Sequence, residues 1–349
     1  MGPGLPSNAR WRLCIRHTHE NGRQERRGRM KRLIFGLDGG GTGSRLRIAD
    51  EKNRFLVTQT GEGVNPQAVG YPVAVERISG LFHSALHALE ETYGWTGGIA
   101  DFIAGCFAIA GGGAPEEARK LEGELREALR FRCPLLFVSD AEAALVGGLK
   151  SLEGMILVAG TGSIALARLR DGTIMRAGGY GHFLGDEGSA FWIASQAVIR
   201  SIRSSEGRDL PTHMLSDLCA YFGIQNTHEF IPLWYQRFDK ALIAGAARIV
   251  EEFREREDPL ARDIFMHAAN ELSRLVESVY HRAEGKLEVK KLLLWGGQLE
   301  HNQWLQRAVT HHLRVRIPAL EVRKAQEDAA FGACLLAAQK ALISGSLDF

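Results

Sequence analysis

The sequence has 349 residues, of which 45% are hydrophobic and 24% are charged, so it is typical of a soluble globular protein of about two domains. Its formal net charge is +2, but the first 29 residues hold seven Arg and two Glu, which leaves 36 basic and 39 acidic side chains in the remainder. That balance does not indicate a nucleic-acid partner, and no apolar run reaches the roughly 18 residues of a membrane span.

The leading segment and the cysteines bear on the compartment. Residues 1–29 contain neither an apolar stretch nor a small-residue cleavage site, so they do not resemble a signal peptide. The five cysteines are scattered without a C-x-x-C pair, which indicates neither a disulfide framework nor a zinc site. We therefore expect a cytoplasmic protein. Because Met30 stands directly before the first predicted strand, residues 1–29 are either a disordered extension or the result of a mis-assigned translation start.

A glycine-rich turn joins the first two predicted strands. The apolar stretch "LIFGL" runs into "DGGGTGS", after which Leu46 and Ile48 alternate with polar residues. This alternation predicts a second strand and hence a β-hairpin. A dinucleotide-binding loop would lead into a helix and would carry the spacing G-x-G-x-x-G, which is missing, so the pattern argues against a Rossmann fold.

The rest of the first half alternates helices with strands. Helical spacing over residues 73–94 is followed by the buried strand "FIAGCFAIAGGG". A helix then starts with Pro115 near its first position and acidic residues in its first turn, as the helix dipole favours. The strand "PLLFVSD" completes a predicted α/β half.

Strand, glycine-threonine turn and strand recur in the second half. They occur at residues 33–48 and again at residues 155–169, and this weak internal repeat predicts two related domains. Later, a long helix is predicted to start with Asp258 as N-cap and Pro259 at its first position. The stretch "KKLLLWGG" predicts a further strand that ends in glycines.

The repeat predicts a division of the chain into two lobes. We expect an N-terminal lobe of residues 30–146 and a C-terminal lobe of residues 147–349. The final apolar helix, at about residues 326–343, is expected to pack back on the N-terminal lobe. No stretch rich in Pro or Ser separates the halves, which favours a continuous hinge over a tether.

Three predicted strands end in glycine turns, in "GLDGGGTG", "LVAGTGS" and "LLWGGQ". Successive backbone N–H groups in such turns form concavities that hold phosphate oxygens, and a Thr or Ser hydroxyl adds a donor. We therefore expect two facing loops to clamp a triphosphate. Asp38, just before the first turn, is expected to hold the accompanying Mg²⁺ through water, because this ion loses its water reluctantly.

Asp140 lies between a predicted strand and a predicted helix in "FVSDAEAALVGG". One interpretation is an N-cap carboxylate that accepts hydrogen bonds from the helix. The other is a general base at the carboxyl end of a sheet, where α/β proteins bind ligands, which takes a proton from an attacking hydroxyl. The surrounding glycine turns favour the base.

The stretch "GGYGHFLGDEGSAFWIASQAV" combines small residues, an imidazole and two carboxylates ahead of an apolar helix. In one interpretation Asp186 or Ser189 caps that helix, and His182 is a satisfied core or supporting group. In the other, carboxylate and backbone amides form a wall that binds the hydroxyls of a polyhydroxylated ligand. The residues of that wall are Gly179, Tyr180, Gly181 and Asp186.

These motifs together resemble a known family. "DGGGT", "SDAEAAL", "AGTGS", "GHFLGDEGSAFWIA", "FDKALIAGAARI", "DPLARDIF" and "LLLWGG" occur in the order seen in N-acetylglucosamine kinases. These kinases fall within the BadF/BadG/BcrA/BcrD-type ATPase family of the actin, sugar kinase and Hsp70 superfamily. The resemblance covers about residues 31–340. It implies an α/β, two-lobed actin-like ATPase fold with a ribonuclease H-like sheet in each lobe, ATP in the cleft and sugar between the lobes.

The resemblance also implies roles for individual residues. Phosphate-binding residues would be Gly40, Gly41, Thr42, Gly43, Gly160, Thr161 and Gly162. Nucleotide-lining residues would be Ala244, Gly296 and Gly297. Sugar-binding residues would be Asn65, Gly179, Tyr180, Gly181 and Asp186, with Asp140 as the catalytic base. Ala110 departs from the family, whose members often have a Ser there that contributes to the sugar pocket.

The implied activity is ATP- and Mg²⁺-dependent phosphorylation of the 6-hydroxyl of N-acetylglucosamine, in amino-sugar salvage or cell-wall recycling. Glucosamine, N-acetylmuramic acid or another hexosamine is the alternative substrate. A second alternative, an ATPase that activates a dehydratase through an iron–sulfur cluster, is disfavoured because "GHFLGDEGSAF" has no cysteine. A binding module without activity is disfavoured because Asp38 and Asp140 are present. We expect no nucleic-acid or membrane partner, and a homodimer is left open because relatives often form dimers.

Overall fold

A computed structural model describes residues 32–52, 54–110 and 115–344. The predicted extension at residues 1–29 lies outside these described residues. The described residues divide into two compact units: one contains those up to Val138 and those from Ala333 onward, and the other contains those from Ser139 to Gly332. The lobe boundary predicted after residue 146 stays a prediction.

The first unit is built on a five-stranded mixed sheet. Its strands are β1 (Leu33–Gly39), β2 (Gly43–Asp50), β3 (Phe55–Glu62), β4 (Phe102–Ile109) and β5 (Leu135–Val138). Their order is β3-β2-β1-β4-β5, in which β1, β2 and β3 pair antiparallel while β4 and β5 pair parallel. The predicted hairpin is therefore confirmed, with Leu46 and Ile48 fully buried on β2 as their alternation requires.

Phenylalanines fill the core of the first unit. Phe35 on β1 has four other rings within 5.3 Å of its ring centroid, three of them in edge-to-face geometry. These neighbours are Phe82, Phe102, Phe107 and Phe131. A Cβ on Gly105 of β4 would fall 1.9 Å from the Phe35 ring, so glycine is required there to let the ring lie against the sheet. The helices of this part are α1 (Pro66–Val69), α2 (Tyr71–Tyr93) and α3 (Pro115–Leu129).

The second unit contains a sheet of the same topology. Its strands are β6 (Gly154–Ala159), β7 (Ser163–Arg168), β8 (Ile174–Gly178), β9 (Lys291–Trp295) and β10 (Glu321–Arg323). β6, β7 and β8 pair antiparallel, and β9 and β10 add in parallel beside β6, which reproduces the order of the first sheet. The predicted internal repeat is thus confirmed at the level of strand order, and so is the α/β class.

The remaining helices cover the second sheet and close the chain. They are α4 (Asp140–Leu149), α5 (Ala190–Ser205), α6 (Met214–Phe222), α7 (Phe230–Tyr235), α8 (Lys240–Gly245), α9 (Ala247–Glu255), α10 (Pro259–Ala283), α11 (Gly297–His301), α12 (Gln303–Arg316) and α13 (Ala329–Ile343). As predicted, Asp258 caps α10 by accepting from the Ala261 amide, with Pro259 at the first position. Within the described ranges, no helix combines the length and the apolar character needed to cross a membrane.

Candidate active site

The first glycine turn connects β1 to β2. The Gly40 amide donates to the Gly43 carbonyl at 3.0 Å, which closes the turn. A Cβ on Gly63 would fall 2.1 Å from the Gly41 carbonyl oxygen, so the following segment packs directly on the turn. Among the described residues, no hydrogen-bond partner is found for the amides of Gly41 and Thr42, and both residues are exposed. Two adjacent free N–H groups at a strand end are suited to bind an anion.

Asp38 and Asn65 both adjoin this turn. Asp38 is half-buried near the end of β1, opposite Arg45 on β2. The backbone N–H of Asn65 donates to the Gly40 carbonyl at 3.3 Å. The side-chain oxygen of Asn65 caps α1 by accepting from the backbone N–H of Gln67 at 3.0 Å. Asn65 is thus fixed to the turn through its backbone, and the cap keeps its side chain in one orientation.

A small cavity, partly open to solvent, lies beside Asn65. It is lined by Asn65, Pro66, Tyr71, Ile109, Ala110, Glu117, Ala118, Leu121 and Phe137. Its one acidic group is the Glu117 carboxylate, which accepts from the Gln67 side chain at 2.8 and 2.9 Å. Ala110, where the sequence departs from the family, therefore lies at the wall of a cavity that Asn65 also lines.

The second glycine turn connects β6 to β7 and repeats the geometry of the first. The Gly160 amide donates to the Gly162 carbonyl at 2.9 Å, and the amides of Thr161 and Gly162 have no partner within the described part of the chain. The next residue, Ser163, is buried and donates its hydroxyl to the Glu187 carbonyl at 2.8 Å. This turn likewise offers two adjacent N–H groups to an anion.

A serine hydroxyl anchors each turn to a neighbouring segment. Ser44, directly after the first turn, donates to the Glu62 carbonyl at 2.6 Å, as Ser163 does to Glu187 in the second unit. Both serines are buried. This anchoring role was not predicted for either serine, although Gly-Ser follows Thr in both turns.

Asp186 is bonded to the second turn. It is 3% exposed, and its carboxylate accepts hydrogen bonds from the Ser163 amide at 3.1 Å and from the Lys240 ammonium at 2.9 Å. A Cβ on Gly162 would lie 2.8 Å from the same carboxylate, so the two are in contact. The φ of Asp186, +62°, lies in the left-handed region that few non-glycine residues adopt. The predicted contact of Asp186 with sugar stays a prediction; the bonds to Ser163 and Lys240 were missed.

The third glycine turn lies beside the second. Gly296, after β9, has a φ of +93°, and a Cβ there would fall 2.7 Å from the Ala159 carbonyl oxygen. The Gly297 amide nitrogen is 4.0 Å from the position of a Cβ on Gly160. The parallel pairing of β6 with β9 accounts for this, because the carboxyl ends of parallel strands meet at one edge. The nucleotide-lining role of Gly296 and Gly297 stays a prediction.

The segment that was predicted to bind sugar follows β8. Gly179 and Gly181 have φ values of +71° and +85°, so the chain reverses sharply around Tyr180. Tyr180 is 64% exposed, and the Arg176 guanidinium lies 4.6 Å from the centroid of its ring. Ala244, on α8, is buried one helical turn after Lys240. The assignments of these residues to ligands stay predictions.

His182 packs among aromatic rings. Its ring stacks on Phe238 at 4.6 Å and meets Phe191 edge-to-face at 5.1 Å. Burial lowers the pKa of His182, and the Lys240 ammonium lowers it further. The buried Nε2 atom has no hydrogen-bond partner within the described residues, and the role of His182 stays a prediction. Ser189, and not Asp186, caps α5, by accepting from the Trp192 amide at 3.2 Å.

Asp140 is the first residue of α4. Ser139, which precedes it, caps the helix by accepting from the Glu142 amide at 3.2 Å, so the interpretation of Asp140 as the N-cap is wrong. Asp140 is exposed by surface area, but protein atoms crowd its carboxylate enough that desolvation raises its pKa. Backbone amides of Ala141 and of Asp140 itself oppose the rise. A carboxylate with a raised pKa accepts a proton more readily at neutral pH.

A buried ion pair attaches α4 to the second sheet. The Arg168 guanidinium donates to the Glu142 carboxylate at 2.9 Å, with the two side chains 6% and 12% exposed, and also to the Leu152 carbonyl. Glu142 lies in the first turn of α4, two residues after Asp140. The pair thus holds the end of the helix that carries Asp140.

Known proteins of similar sequence span nearly the whole chain. An N-acetylmuramic acid/N-acetylglucosamine kinase of Clostridium acetobutylicum is 28% identical over 88% of this chain and 98% of its own length. An N-acetyl-D-glucosamine kinase of Dictyostelium discoideum is 25% identical over the same shares of both chains.

Solved structures show the same fold. A candidate N-acetylglucosamine kinase of Chromobacterium violaceum superposes with a TM-score of 0.67 at 24% identity, over 88% of this chain and 99% of that one. A ROK family glucokinase of Streptomyces griseus, in complex with glucose and AMPPNP, does so with a TM-score of 0.52 at 19% identity and the same coverage. These likenesses confirm the predicted actin-like sugar kinase fold.

The family match covers most of the chain. The model of the BadF/BadG/BcrA/BcrD ATPase family matches residues 35–337, which include all three glycine turns, Asp140 and Asp186. The resemblance stated from the motifs is thereby confirmed. The protein belongs to the BadF/BadG/BcrA/BcrD ATPase family.

Proposed function

We propose that this protein is an ATP-dependent kinase that phosphorylates the 6-hydroxyl of N-acetylglucosamine. The observation that carries the proposal is the pair of glycine turns, each with two adjacent amides that have no partner within the described residues. The names of the relatives from Clostridium acetobutylicum and Dictyostelium discoideum, both kinases of N-acetylglucosamine, support the substrate class.

The turns fit the phosphates of a nucleotide. Gly41 and Thr42 in the first, and Thr161 and Gly162 in the second, would donate to phosphate oxygens, because their amides are not used elsewhere within the described residues. Asp38 would hold Mg²⁺ next to the first turn; when bound, the ion supplies positive charge to the phosphates.

Asp140 would act as the general base. Ser139, not Asp140, is the N-cap of α4, and desolvation raises the pKa of the Asp140 carboxylate, which favours its uptake of a proton. It would orient the 6-hydroxyl of the sugar and take its proton while that oxygen attacks the γ-phosphorus; the bond from this phosphorus to the β–γ bridging oxygen would break, and ADP would leave. The Glu142–Arg168 ion pair holds this end of α4 in place.

We propose the identity of the sugar from the charge beside Asn65. As the family resemblance implies, sugar-binding residues would be Asn65, those of the Gly179–Gly181 turn, and Asp186. Within the first unit, Glu117 lies at the wall of the cavity that Asn65 lines. A carboxylate at this position disfavours an anionic sugar, so N-acetylglucosamine is preferred over N-acetylmuramic acid. Glucosamine and other neutral or cationic hexosamines are the alternatives.

A coupled assay of ADP release tests the proposal. Mg-ATP is supplied with N-acetylglucosamine, N-acetylmuramic acid, glucosamine, glucose or no sugar. We expect strong ADP release with N-acetylglucosamine and a loss of turnover of about 10²- to 10⁴-fold in Asp140→Asn, with ATP affinity retained. ADP release that does not depend on sugar, or unchanged turnover in Asp140→Asn, would contradict the proposed reaction or the proposed base. A cytoplasmic location is part of the proposal. A homodimer stays an open alternative, which light scattering tests.

A further inference from the structure

Lys240 brings a positive charge to the second glycine turn. Its ammonium is 2.9 Å from the Asp186 carboxylate, which in turn accepts from the Ser163 amide and contacts Gly162. The Lys240 side chain is 33% exposed, whereas that of Asp186 is 4% exposed. The Lys240 side chain is therefore bonded to a buried carboxylate and is also partly exposed to solvent.

The other groups bonded to this turn carry no positive charge. Ser163 and Glu187 meet through a hydroxyl and a carbonyl, and the Ala190 amide donates to the Gly160 carbonyl. Burial lowers the pKa of His182, which favours its uncharged form. Some of the described residues are connected to the second turn by hydrogen bonds, and among these Lys240 supplies the positive charge.

We propose that Lys240 binds the phosphate oxygens of the nucleotide at the second glycine turn, and that Asp186 holds its ammonium there. This inference rests on the proposed kinase function. A flexible lysine side chain loses conformational entropy when it binds a ligand. Because the Asp186 carboxylate already restricts the side chain of Lys240, less entropy is lost when the ligand binds. The Asp186 carboxylate, which contacts both Lys240 and the turn, keeps the ammonium near Thr161 and Gly162. An ammonium added to backbone amides stabilises the charge on a phosphoryl group more than amides alone.

A competing explanation gives Lys240 no ligand. In that case Lys240 only neutralises Asp186, whose burial as an unpaired carboxylate would be costly, and the ion pair only supports the turn. The two explanations differ in what happens when both charges are removed together. They also differ in whether the loss of binding grows with the number of phosphates.

Calorimetric titration of the full chain separates them. Wild type, Lys240→Met and Lys240→Arg are titrated with Mg·AMPPNP, with Mg·ADP and with adenosine. Lys290→Met, at an exposed lysine on the segment before β9, is the matched control. We expect Lys240→Met to bind Mg·AMPPNP about 10- to 100-fold more weakly, to lose less affinity for Mg·ADP and to keep its affinity for adenosine. Lys240→Arg should recover part of the loss, and Lys290→Met should match wild type.

The double variant Asp186→Asn/Lys240→Met decides between the explanations. It contains no unpaired buried charge, so it also serves if Lys240→Met fails to fold. Weak binding of Mg·AMPPNP in the double variant supports a phosphate contact by Lys240. Recovery of wild-type affinity, or an equal loss for all three ligands, would overturn it. If wild type releases ADP with an amino sugar while Lys240→Met binds Mg·AMPPNP normally, only this inference fails. If wild type binds no Mg·AMPPNP, the proposed function fails with it.

Discussion

Replacing Gly41 by alanine tests phosphate binding at the first glycine turn without disturbing the fold. A Cβ on Gly41 would meet no atom within 4 Å, and the φ of Gly41 lies outside the left-handed region. The folded protein therefore accommodates the methyl group. Because alanine also reduces the entropy of the unfolded chain, we expect the free energy of unfolding to rise by about 0.4–1 kcal/mol.

The same methyl group would obstruct the nucleotide. It would occupy the open space through which a phosphate oxygen approaches the amides of Gly41 and Thr42. A lost hydrogen bond to a charged oxygen costs about 1.5–3 kcal/mol, so one such loss weakens the binding of Mg·AMPPNP about 10- to 100-fold. Isothermal titration measures the affinity, and urea unfolding measures the stability.

Gly80→Ala is the matched control, because a Cβ on this residue of α2 also meets nothing within 4 Å. We expect this variant to be more stable by about 1 kcal/mol, as for any exposed helical glycine, and to bind Mg·AMPPNP like wild type. Unchanged affinity in Gly41→Ala would refute the phosphate-binding role of the first turn. A loss of stability in Gly41→Ala would refute the reasoning from its open surroundings.

Three further predictions concern pH and buried charge. Because the pKa of Asp140 is raised by desolvation and the base must be ionised, kcat should fall on acidification at a pH above the ordinary aspartate range near 3.9, as a pH–rate profile would show. Glu142→Gln leaves the Arg168 guanidinium buried without its carboxylate and should lower the free energy of unfolding by about 3–5 kcal/mol, as urea unfolding would measure. The double variant Glu142→Gln/Arg168→Met should recover part of the lost stability. Arg200 lowers the pKa of Asp209 to about 2, so Asp209 stabilises the fold above pH 4 and loses that contribution as the pH falls toward 2. The stability of Asp209→Asn should therefore approach that of wild type over this acidic range.

Local patterns predicted the elements that local interactions determine. The alternation of Leu46 and Ile48 was enough for a hairpin, because one face of β2 is buried. Asp258 and Pro259 were enough for the start of α10, since a cap and a first-turn proline act within four residues. Neighbouring candidates were harder to separate: Ser139 and Asp140 both suit an N-cap, and only the backbone geometry at Ser139 decides between them.

The contacts of the candidate site join segments that are distant in the sequence, and the sequence alone does not predict which of these segments meet. Lys240 lies 54 residues after Asp186, and nothing in "FDKALIAG" indicates which carboxylate it meets. The left-handed backbone of Asp186 turns its side chain toward the second glycine turn, a conformation that no residue pattern predicts for a non-glycine residue. The motifs therefore identified Asp186 but not its partners.

The division of the chain into units has a consequence for folding. Residues from Ala333 onward belong to the first unit, where the buried Cys334 thiol contacts the Arg47 carbonyl, yet the whole second unit precedes them in the chain. A ribosome therefore releases the closing segment of the first unit last, and domain-by-domain folding from the N-terminus cannot finish that unit early. The pairing of β6 with β9 similarly joins segments separated by six helices, and such long-range contacts form slowly. A chain shortened at its C-terminus loses part of its N-terminal unit.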